Sequence, residues 1–216
     1  QLCICQNKLI SKDGFISPDS ESFEGNTPEA NWIWDSGDPN PKNYYLHIRK
    51  NFRLNSPIKE AKAYVSAFSF AELYINGVYI DRIPTNPDPE YQTYEEIDIS
   101  PYLKLGENTI AALVYNVGEG LHHRMNGKGG FFFQSKITDS KEKIIKLNSD
   151  KSWLVAKAIA WENKTDHRQI DHTIGRREKF DARLEYDGWE QNHFNDSNWE
   201  NATEIGVPPI DPWNKI

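Results

Sequence analysis

The stretch Glu72-Leu73-Tyr74-Ile75-Asn76-Gly77-Val78-Tyr79-Ile80 contains the strongest local structural signal in the chain. Short apolar segments flank Asn76 and Gly77, as expected of two strands joined by a turn. Asn and Gly readily take the positive φ values that a two-residue hairpin turn requires. The stretch therefore predicts a tight antiparallel β-hairpin with Asn76 and Gly77 at its tip.

Similar short apolar runs lie on both sides of this hairpin, with turn residues between them. They include Tyr64–Phe68 before it and Thr109–Val114, Phe131–Phe133 and Lys143–Leu147 after it. Long helical periodicity is nearly absent. Many short strands at a spacing of roughly 8–12 residues are typical of an antiparallel sandwich or barrel. We therefore predict an all-β fold, an antiparallel β-sandwich.

The composition indicates one main globular domain with a neutral ligand or partner. The chain has 216 residues, of which 38% are hydrophobic and 12% aromatic, enough for a sizeable core. Its formal net charge of -7 gives no general attraction for phosphate groups. Nucleic acid and anionic membrane surfaces are therefore not expected as partners. No apolar run approaches the ~20 residues that a membrane-spanning helix needs.

The chain divides into three predicted regions. Residues 1–30 comprise a lead-in or the remnant of an export signal together with a linker rich in Ser, Pro, Asp, Glu and Gly. Residues 31–187 form the β-sandwich module. Residues 188–216 are either the start of a following module or a strand that folds back on the sandwich.

The two cysteines indicate the cellular compartment rather than a disulfide framework. Cys3 and Cys5 both lie in the first five residues. Leu2-x-x-Cys5 loosely matches the acylation box of bacterial lipoproteins, although the usual small residue before the Cys is missing. This match predicts an exported protein: periplasmic, secreted or a surface lipoprotein lipidated at Cys5. An arbitrary or partly cleaved start is the simpler interpretation of these residues.

An ordered series of short motifs runs through the chain. The series is Ala63–Ala67, the hairpin, Gly106-Glu107-Asn108, Gly129-Gly130-Phe131, Asp150-Lys151-Ser152-Trp153 and Glu178-x-x-Asp181-Ala182-Arg183. It resembles the non-catalytic N-terminal region of bacterial α-L-rhamnosidases. The resemblance implies a jelly-roll β-sandwich of the galactose-binding-like type, without a catalytic barrel.

The resemblance also implies a function. The parent protein would be a glycoside hydrolase that removes terminal rhamnose during polysaccharide degradation. The module itself would bind a rhamnose-containing glycan or brace a downstream catalytic domain, without being catalytic. A purely structural or protein-interaction sandwich is the alternative, and a self-sufficient hydrolase is the third reading.

One loop departs from the pattern of that family. Where the family usually has Gly-Trp-Tyr, this chain has Gly118-Glu119-Gly120-Leu121-His122-His123-Arg124. Related modules that bind rhamnose with the help of calcium use an aromatic residue near this loop. His122, His123 and Arg124 are therefore candidate carbohydrate contacts without an aromatic platform, and we expect weak binding of free rhamnose.

Trp161 is the best candidate among the tryptophans for a sugar-stacking residue. Pyranose C–H groups pack on indole rings, while polar neighbours fix the hydroxyl groups. Trp161 lies in a polar stretch that also contains Asp166 and His167. Trp153 and Trp199 lie in apolar alternations, which are more typical of a core.

Calcium is the one cofactor that the sequence suggests. Asp88 and Glu90 lie in a Pro-rich loop and offer the hard oxygen donors that calcium prefers, although a solvated acidic turn is the simpler reading. Zinc is not expected, because the chain has no HExxH or Cys-based spacing. Adjacent His residues on a strand also point to opposite faces, so His122 and His123 are poorly placed to share an ion.

Glu178 and Asp181 could be read as the acid and base pair of a glycosidase. Arg177 and Arg183 flank them and push carboxyl pKa values downward, whereas a general acid needs a raised pKa. We therefore predict a structural role for the pair, as an ion-paired strand end. A buried Arg fork that holds two carboxylate oxygens would suit this role.

Overall fold

The computed structural model describes residues 28–83, 92–120, 127–166, 176–213 and 216. In these ranges the chain forms twelve β-strands, two short 3₁₀ turns (Ser100–Tyr102 and Ala182–Leu184) and no α-helix. The strands form two six-stranded antiparallel sheets that face each other across a common apolar core. The predicted all-β antiparallel sandwich is confirmed.

The two sheets each combine strands from distant parts of the chain. Sheet A has the order β12 (Thr203–Gly206), β1 (Trp32–Trp34), β8 (Phe131–Asp139), β3 (Ile58–Ala67) and β6 (Glu95–Asp98), with β9 (Ile144–Asn148) also paired to β8. Sheet B has the order β11 (Glu200–Asn201), β10 (Leu154–Lys157), β2 (Tyr44–Leu54), β7 (Gly106–Asn116), β4 (Phe70–Ile75) and β5 (Val78–Ile83).

The predicted hairpin joins β4 to β5 and is confirmed. Asn76 and Gly77 have φ values of 52° and 82°, the positive values that a two-residue hairpin turn requires at both central residues. The Asn76 side chain also ties the hairpin to β7. Its Nδ2 donates to Oδ1 of Asn108 at 2.9 Å, and its Oδ1 accepts from the Thr109 amide at 2.9 Å. Two of the motifs seen in the sequence therefore meet at one corner of the fold.

Both sheets receive a strand from the segment 188–216. Leu154 of β10 pairs with Asn201 of β11, and Trp34 of β1 pairs with Thr203 of β12. The chain crosses between the sheets at Ala202, which is buried. Two such short strands produce little periodic signal in a sequence, which is why they are hard to predict.

Residues 185–199 cover the outer face of β2. Because side chains alternate along a strand, β2 directs Leu46 and Ile48 into the core and His47 and Arg49 outward. His47 is nevertheless fully buried, with its ring centroid 4.2 Å from that of Trp189 and its Nε2 3.0 Å from Oε1 of Glu185. Burial alone would raise the pKa of Glu185, but the hydrogen bond and charge of His47 outweigh it and lower that pKa.

Arg49 of β2 makes the main polar contacts with this covering segment. Its guanidinium donates to the backbone carbonyls of Trp189 and Gln191, each at 3.1 Å, and its Nε lies 3.1 Å from Oδ2 of Asp196. The Phe194 ring lies over it, 5.1 Å from the guanidinium carbon to the ring centroid. A fully buried guanidinium needs a partner for its charge, and Asp196 pairs with it while two carbonyls of the segment accept its hydrogen bonds, so Arg49 holds the segment on the sheet.

We predict that Arg49→Met lowers the free energy of unfolding by about 3 kcal/mol, because Asp196 and two carbonyls lose their buried partner. Urea denaturation followed by tryptophan fluorescence measures this change. Arg53→Met, on the same strand face but in an exposed ion pair with Glu107, is the matched control and should cost less than about 1 kcal/mol. Equal costs for the two variants would contradict the role of Arg49.

Candidate functional site

The chain gathers its longer connections at one end of the sandwich. Here β2 begins at Tyr44, opposite the last residue of β7, Asn116. The start of β4 at Phe70 and the end of β10 at Lys157 lie at the same end, since they pair with neighbouring residues of β7 and β2. We refer to this region as the loop end.

An arm composed of residues 160–166 and 176–181 extends from the loop end. Its two sides run antiparallel: Trp161 and Phe180 form a β-bridge, and the Asp181 amide donates to the Ala160 carbonyl at 2.9 Å. Further out, the Arg177 amide donates to the Asp166 carbonyl at 3.1 Å. The arm is thus a backbone-paired element that keeps Trp161 and Phe180 side by side.

Asn43 attaches the arm to the sandwich. It is buried and has a positive φ of 48°, a conformation that Asn tolerates better than most residues. Its Nδ2 lies 3.3 Å from the Glu162 carbonyl and 3.1 Å from Oγ1 of Thr165. Its Oδ1 accepts from the Tyr115 hydroxyl at 2.9 Å. One side chain therefore links β7 to the arm.

Arg176 links the arm to the loop that follows β7. Its Nε and Nη2 donate to the two carboxylate oxygens of Glu119 at 2.9 and 3.2 Å, and its Nη1 donates to the Thr165 carbonyl at 2.7 Å. Such a bidentate pair fixes orientation as well as distance. The stretches 121–126 and 167–175, which begin beside these anchors, lie outside the described residues.

Several of the residues predicted from the sequence therefore have no described position. His122, His123, Arg124 and His167 lie in those two stretches, and Asp88 and Glu90 lie in the stretch 84–91 between β5 and β6. Their assignments stay predictions. Trp161 and Asp166 are described, and both belong to the arm.

Trp161 has one ring face already occupied. It is half-buried and stacks on Tyr45, with ring centroids 4.4 Å apart and an angle of 17° between the planes. Phe180 lies 4.9 Å from it and is 46% exposed. Asp166 is exposed at the outer end of the arm. Phe180, which sequence reasoning missed, thus presents the open aromatic surface beside Trp161.

Tyr45, the residue that stacks on Trp161, has a buried hydroxyl. Burial raises its pKa above the usual range, and the neighbouring Tyr115 and the Glu178 carboxylate add to the increase. Tyr45 is therefore a neutral phenol at physiological pH, so a ligand does not need a positive charge to bind beside it.

The structure changes the interpretation of the pair Glu178 and Asp181. Asp181 binds Arg183 through two side-chain contacts of 2.8 and 2.6 Å, and this hydrogen bonding lowers the pKa of Asp181. The expectation of a buried Arg fork is wrong at this place, because the Arg183 side chain is 88% exposed. The Asp181 carboxylate also accepts from the Arg183 backbone amide at 3.1 Å and so caps the short 3₁₀ turn at the surface.

A shallow cleft of about 380 Å³ also lies at the loop end. No sequence pattern predicted this cleft. Its lining includes Trp34, Asp35, Lys128, Gly129 and Thr203. Asp35 is held in place by the Tyr44 hydroxyl, which donates to its Oδ2 at 2.6 Å. A Cβ atom at Gly129 would lie 2.1 Å from the Trp34 ring, so this glycine is needed for the close packing of the floor.

The described residues hold no group of three or more His, Cys, Asp or Glu side chains that could bind a metal ion. The predicted calcium donors Asp88 and Glu90 are not among these residues, so calcium stays a prediction. In the same part of the chain, no helix is long and apolar enough to cross a membrane.

The fold and the loop end define a β-sandwich domain with an arm that presents aromatic residues. The chain belongs to the Alpha-L-rhamnosidase N-terminal domain family, whose sequence model matches residues 56–212. An α-L-rhamnosidase of Formosa agariphila is 28% identical in an alignment of 162 residues that covers 71% of this chain and 17% of that protein. The resemblance seen in the sequence is confirmed.

Two solved structures share this fold. The GH78 family rhamnosidase of Bacillus sp. GL1 is 26% identical with a TM-score of 0.77, over 88% of this chain and 20% of that one. A lectin of Pleurotus ostreatus, solved in complex with GalNAc, shares the fold at 18% identity with a TM-score of 0.57, over 85% and 44% of the two chains. The chain spans about a fifth of the length of the rhamnosidases that it matches.

We predict that Asn43→Ala destabilises the protein by about 1 kcal/mol more than Asn43→Gly. Both variants lose the amide contacts to the arm, but only Ala is strained at positive φ. Urea denaturation of the two variants checks the order, which is the reverse of that at an ordinary strand position. Faster amide exchange at Thr165 and Arg177 in both variants would show that the loss of stability arises in the arm. Unchanged exchange would contradict attachment of the arm through Asn43.

Proposed function

We propose that this chain is a non-catalytic accessory module of an α-L-rhamnosidase-like glycoside hydrolase and that it binds a rhamnose-containing glycan at the loop end. The observation that carries the proposal is the pair formed by half-buried Trp161 and exposed Phe180 on a backbone-paired arm. An open ring held on a fixed support suits the apolar face of a pyranose.

The groups around this aromatic pair are those that bind sugar hydroxyls. Glu178 and Asp166 are exposed carboxylates on the arm, next to Phe180 and at its outer end. Carboxylates accept hydrogen bonds from hydroxyl groups without requiring a charged ligand. A neutral glycan is therefore a better match for this acidic module than a phosphate-bearing ligand.

The affinity expected from this geometry is low. One face of Trp161 is taken by Tyr45, so an incoming ring has a single open aromatic surface, that of Phe180. Burial of such a surface contributes on the order of 1–2 kcal/mol. We therefore expect dissociation constants for free rhamnose in the millimolar range. Two further sets of contacts would strengthen this binding. One is from His122, His123, Arg124 and His167, and the other is a calcium ion held by Asp88 and Glu90.

The comparisons support the sugar context of this proposal. The chain belongs to a family named for α-L-rhamnosidases, and a lectin that shares its fold was solved with GalNAc. Polysaccharides are found mainly outside the cell, so we propose that the module is exported. The module would then be periplasmic, secreted or anchored through a lipid on Cys5.

A second candidate function is bracing of a downstream catalytic domain. The specific observation in its favour is a set of exposed apolar residues beside the Asp181 and Arg183 pair. Ile159, Phe180 and Leu184 are each close to half exposed, and they lie along the base of the arm and its 3₁₀ turn. Exposed apolar residues next to an Arg are common in interfaces between domains.

We predict that Phe180→Ala weakens binding of L-rhamnose about tenfold, because the open aromatic surface is lost. NMR titration, with and without calcium, follows binding in this range, and stronger binding with calcium would support the proposed ion. The control is Leu105→Ala, which removes a 63% exposed side chain at the opposite end of the sandwich and should leave the affinity unchanged. Full affinity in a folded Phe180→Ala variant would show that the site lies elsewhere.

We predict no hydrolysis of aryl rhamnosides by this chain. Asp181 is held ionised by Arg183, so it is not available as the protonated acid that glycosidic bond cleavage requires. A chromogenic assay with concentrated protein tests this. Turnover that persists through purification and disappears in Glu178→Gln would overturn the prediction.

A further inference from the structure

The outer face of sheet B is covered over β2 but is exposed at the β5 edge. Residues 185–199 lie over β2 and reach Tyr74 and the turn at Gly77, but the β5 side chains Tyr79 and Arg82 remain exposed. Strand register sets the rows across this face. One row is Arg49, Ala111, Tyr74 and Tyr79, and the next is His47, Leu113, Glu72 and Arg82. Each row begins under the covering segment and ends at the surface, where Tyr79 is 52% exposed.

The open end of these rows differs from the open face of sheet A. There a comparable row is Asp98, Lys62, Lys136 and Lys146, all charged, as expected of a solvated surface. On the hairpin, the exposed residues Tyr79 and Arg82 instead lie beside half-buried Glu72. This combination is suited to contact with a ligand or partner rather than to solvation alone.

The side chains on the hairpin are held in place by one another. Tyr79 packs edge-on against Tyr74, with ring centroids 5.6 Å apart, and Tyr74 packs edge-on against Trp189 at 5.3 Å. The Tyr74 hydroxyl donates to Oε2 of Glu72 at 3.1 Å. In the neighbouring row, the Arg82 guanidinium lies 4.2 Å above the centroid of the Phe70 ring. A ring, a carboxylate and a guanidinium are thus presented together on a rigid sheet.

The chemistry of this surface favours a glycan over a protein partner. Glu72 and Arg82 lie opposite each other in the register, and the exposed Asp81 is next to Arg82 in the chain, so the surface offers carboxylate acceptors and a fork of donors. Vicinal hydroxyl groups both donate and accept, and the Tyr79 ring supplies an apolar surface for a sugar ring. A stable protein interface needs about 800 Å² on each partner with an apolar centre, whereas here one exposed ring lies among charged groups.

The hairpin surface and the arm lie on the same outer face of sheet B. Tyr45, which supports Trp161, and Phe70, which supports Arg82, both pair with Tyr115 of the strand between them. Two strand spacings separate them, roughly 10 Å. An oligosaccharide can span this distance, and a monosaccharide cannot.

We infer that the outer face of the hairpin, with Tyr79, Glu72 and Arg82, is a second glycan subsite that contacts an oligosaccharide bound at the arm. This inference rests on the proposed function, since it requires glycan binding, but it adds a contact surface that the loop end does not contain. The two subsites together would select glycan chains over free rhamnose.

The test is an NMR titration of L-rhamnose and of a rhamnose-containing oligosaccharide into the wild type and Tyr79→Ala. We expect Tyr79→Ala to weaken the oligosaccharide about tenfold and to change rhamnose affinity by less than twofold. Arg82→Gln should also weaken only the oligosaccharide. The matched control is Ile144→Ala, a 50% exposed residue on sheet A that should affect neither sugar.

The outcomes separate this inference from the proposed function. If the wild type binds neither sugar, the proposed function fails and the inference fails with it. If the wild type binds the oligosaccharide and a folded Tyr79→Ala variant binds it equally well, the inference alone is overturned. Sedimentation velocity tests whether the surface instead binds a second copy of the chain. Self-association that is lost in Tyr79→Ala would show this and would overturn the glycan subsite.

Discussion

The buried guanidinium of Arg49 is the constraint on which the outer half of this structure depends. An unpaired charge at that position would be too costly to bury, so β2 can present Arg49 only if the carbonyls of Trp189 and Gln191 and the carboxylate of Asp196 reach it. The segment 185–199 is therefore a required part of the sandwich, and it extends the packed structure by a layer beyond the two sheets.

This covering layer also determines which surfaces are left for a ligand. It shields β2 and braces Tyr74 through Trp189, while the hairpin side chains beyond it remain open. At the loop end, Asn43 and the pair of Arg176 with Glu119 hold the arm against the sheet. The same polar contacts that stabilise the fold thus fix the positions of Phe180 and Tyr79, the two exposed aromatic residues of the proposed glycan face.

Local sequence signals predicted the parts of the fold that depend on neighbouring residues. The Asn76 and Gly77 turn and the burial of Trp153 follow from alternation and turn chemistry. The cover over Arg49 could not be predicted in this way, because a charged residue at an alternating strand position normally faces solvent and its partners lie about 140 residues away. Phe180 was missed although, like Trp161, it is an aromatic residue among charged neighbours, a signal that could have identified it.

The most direct test of glycan binding at the loop end uses the indole N–H resonances of the seven tryptophans, which distribute over the whole sandwich. In ¹H–¹⁵N spectra recorded during titration with a rhamnose-containing oligosaccharide, we expect the Trp161 indole and the Phe180 amide to shift progressively. The fully buried Trp32, Trp153 and Trp213 should stay fixed. Shifts confined to Trp34 beside the cleft, or no shifts up to tens of millimolar sugar, would contradict a glycan site on the arm.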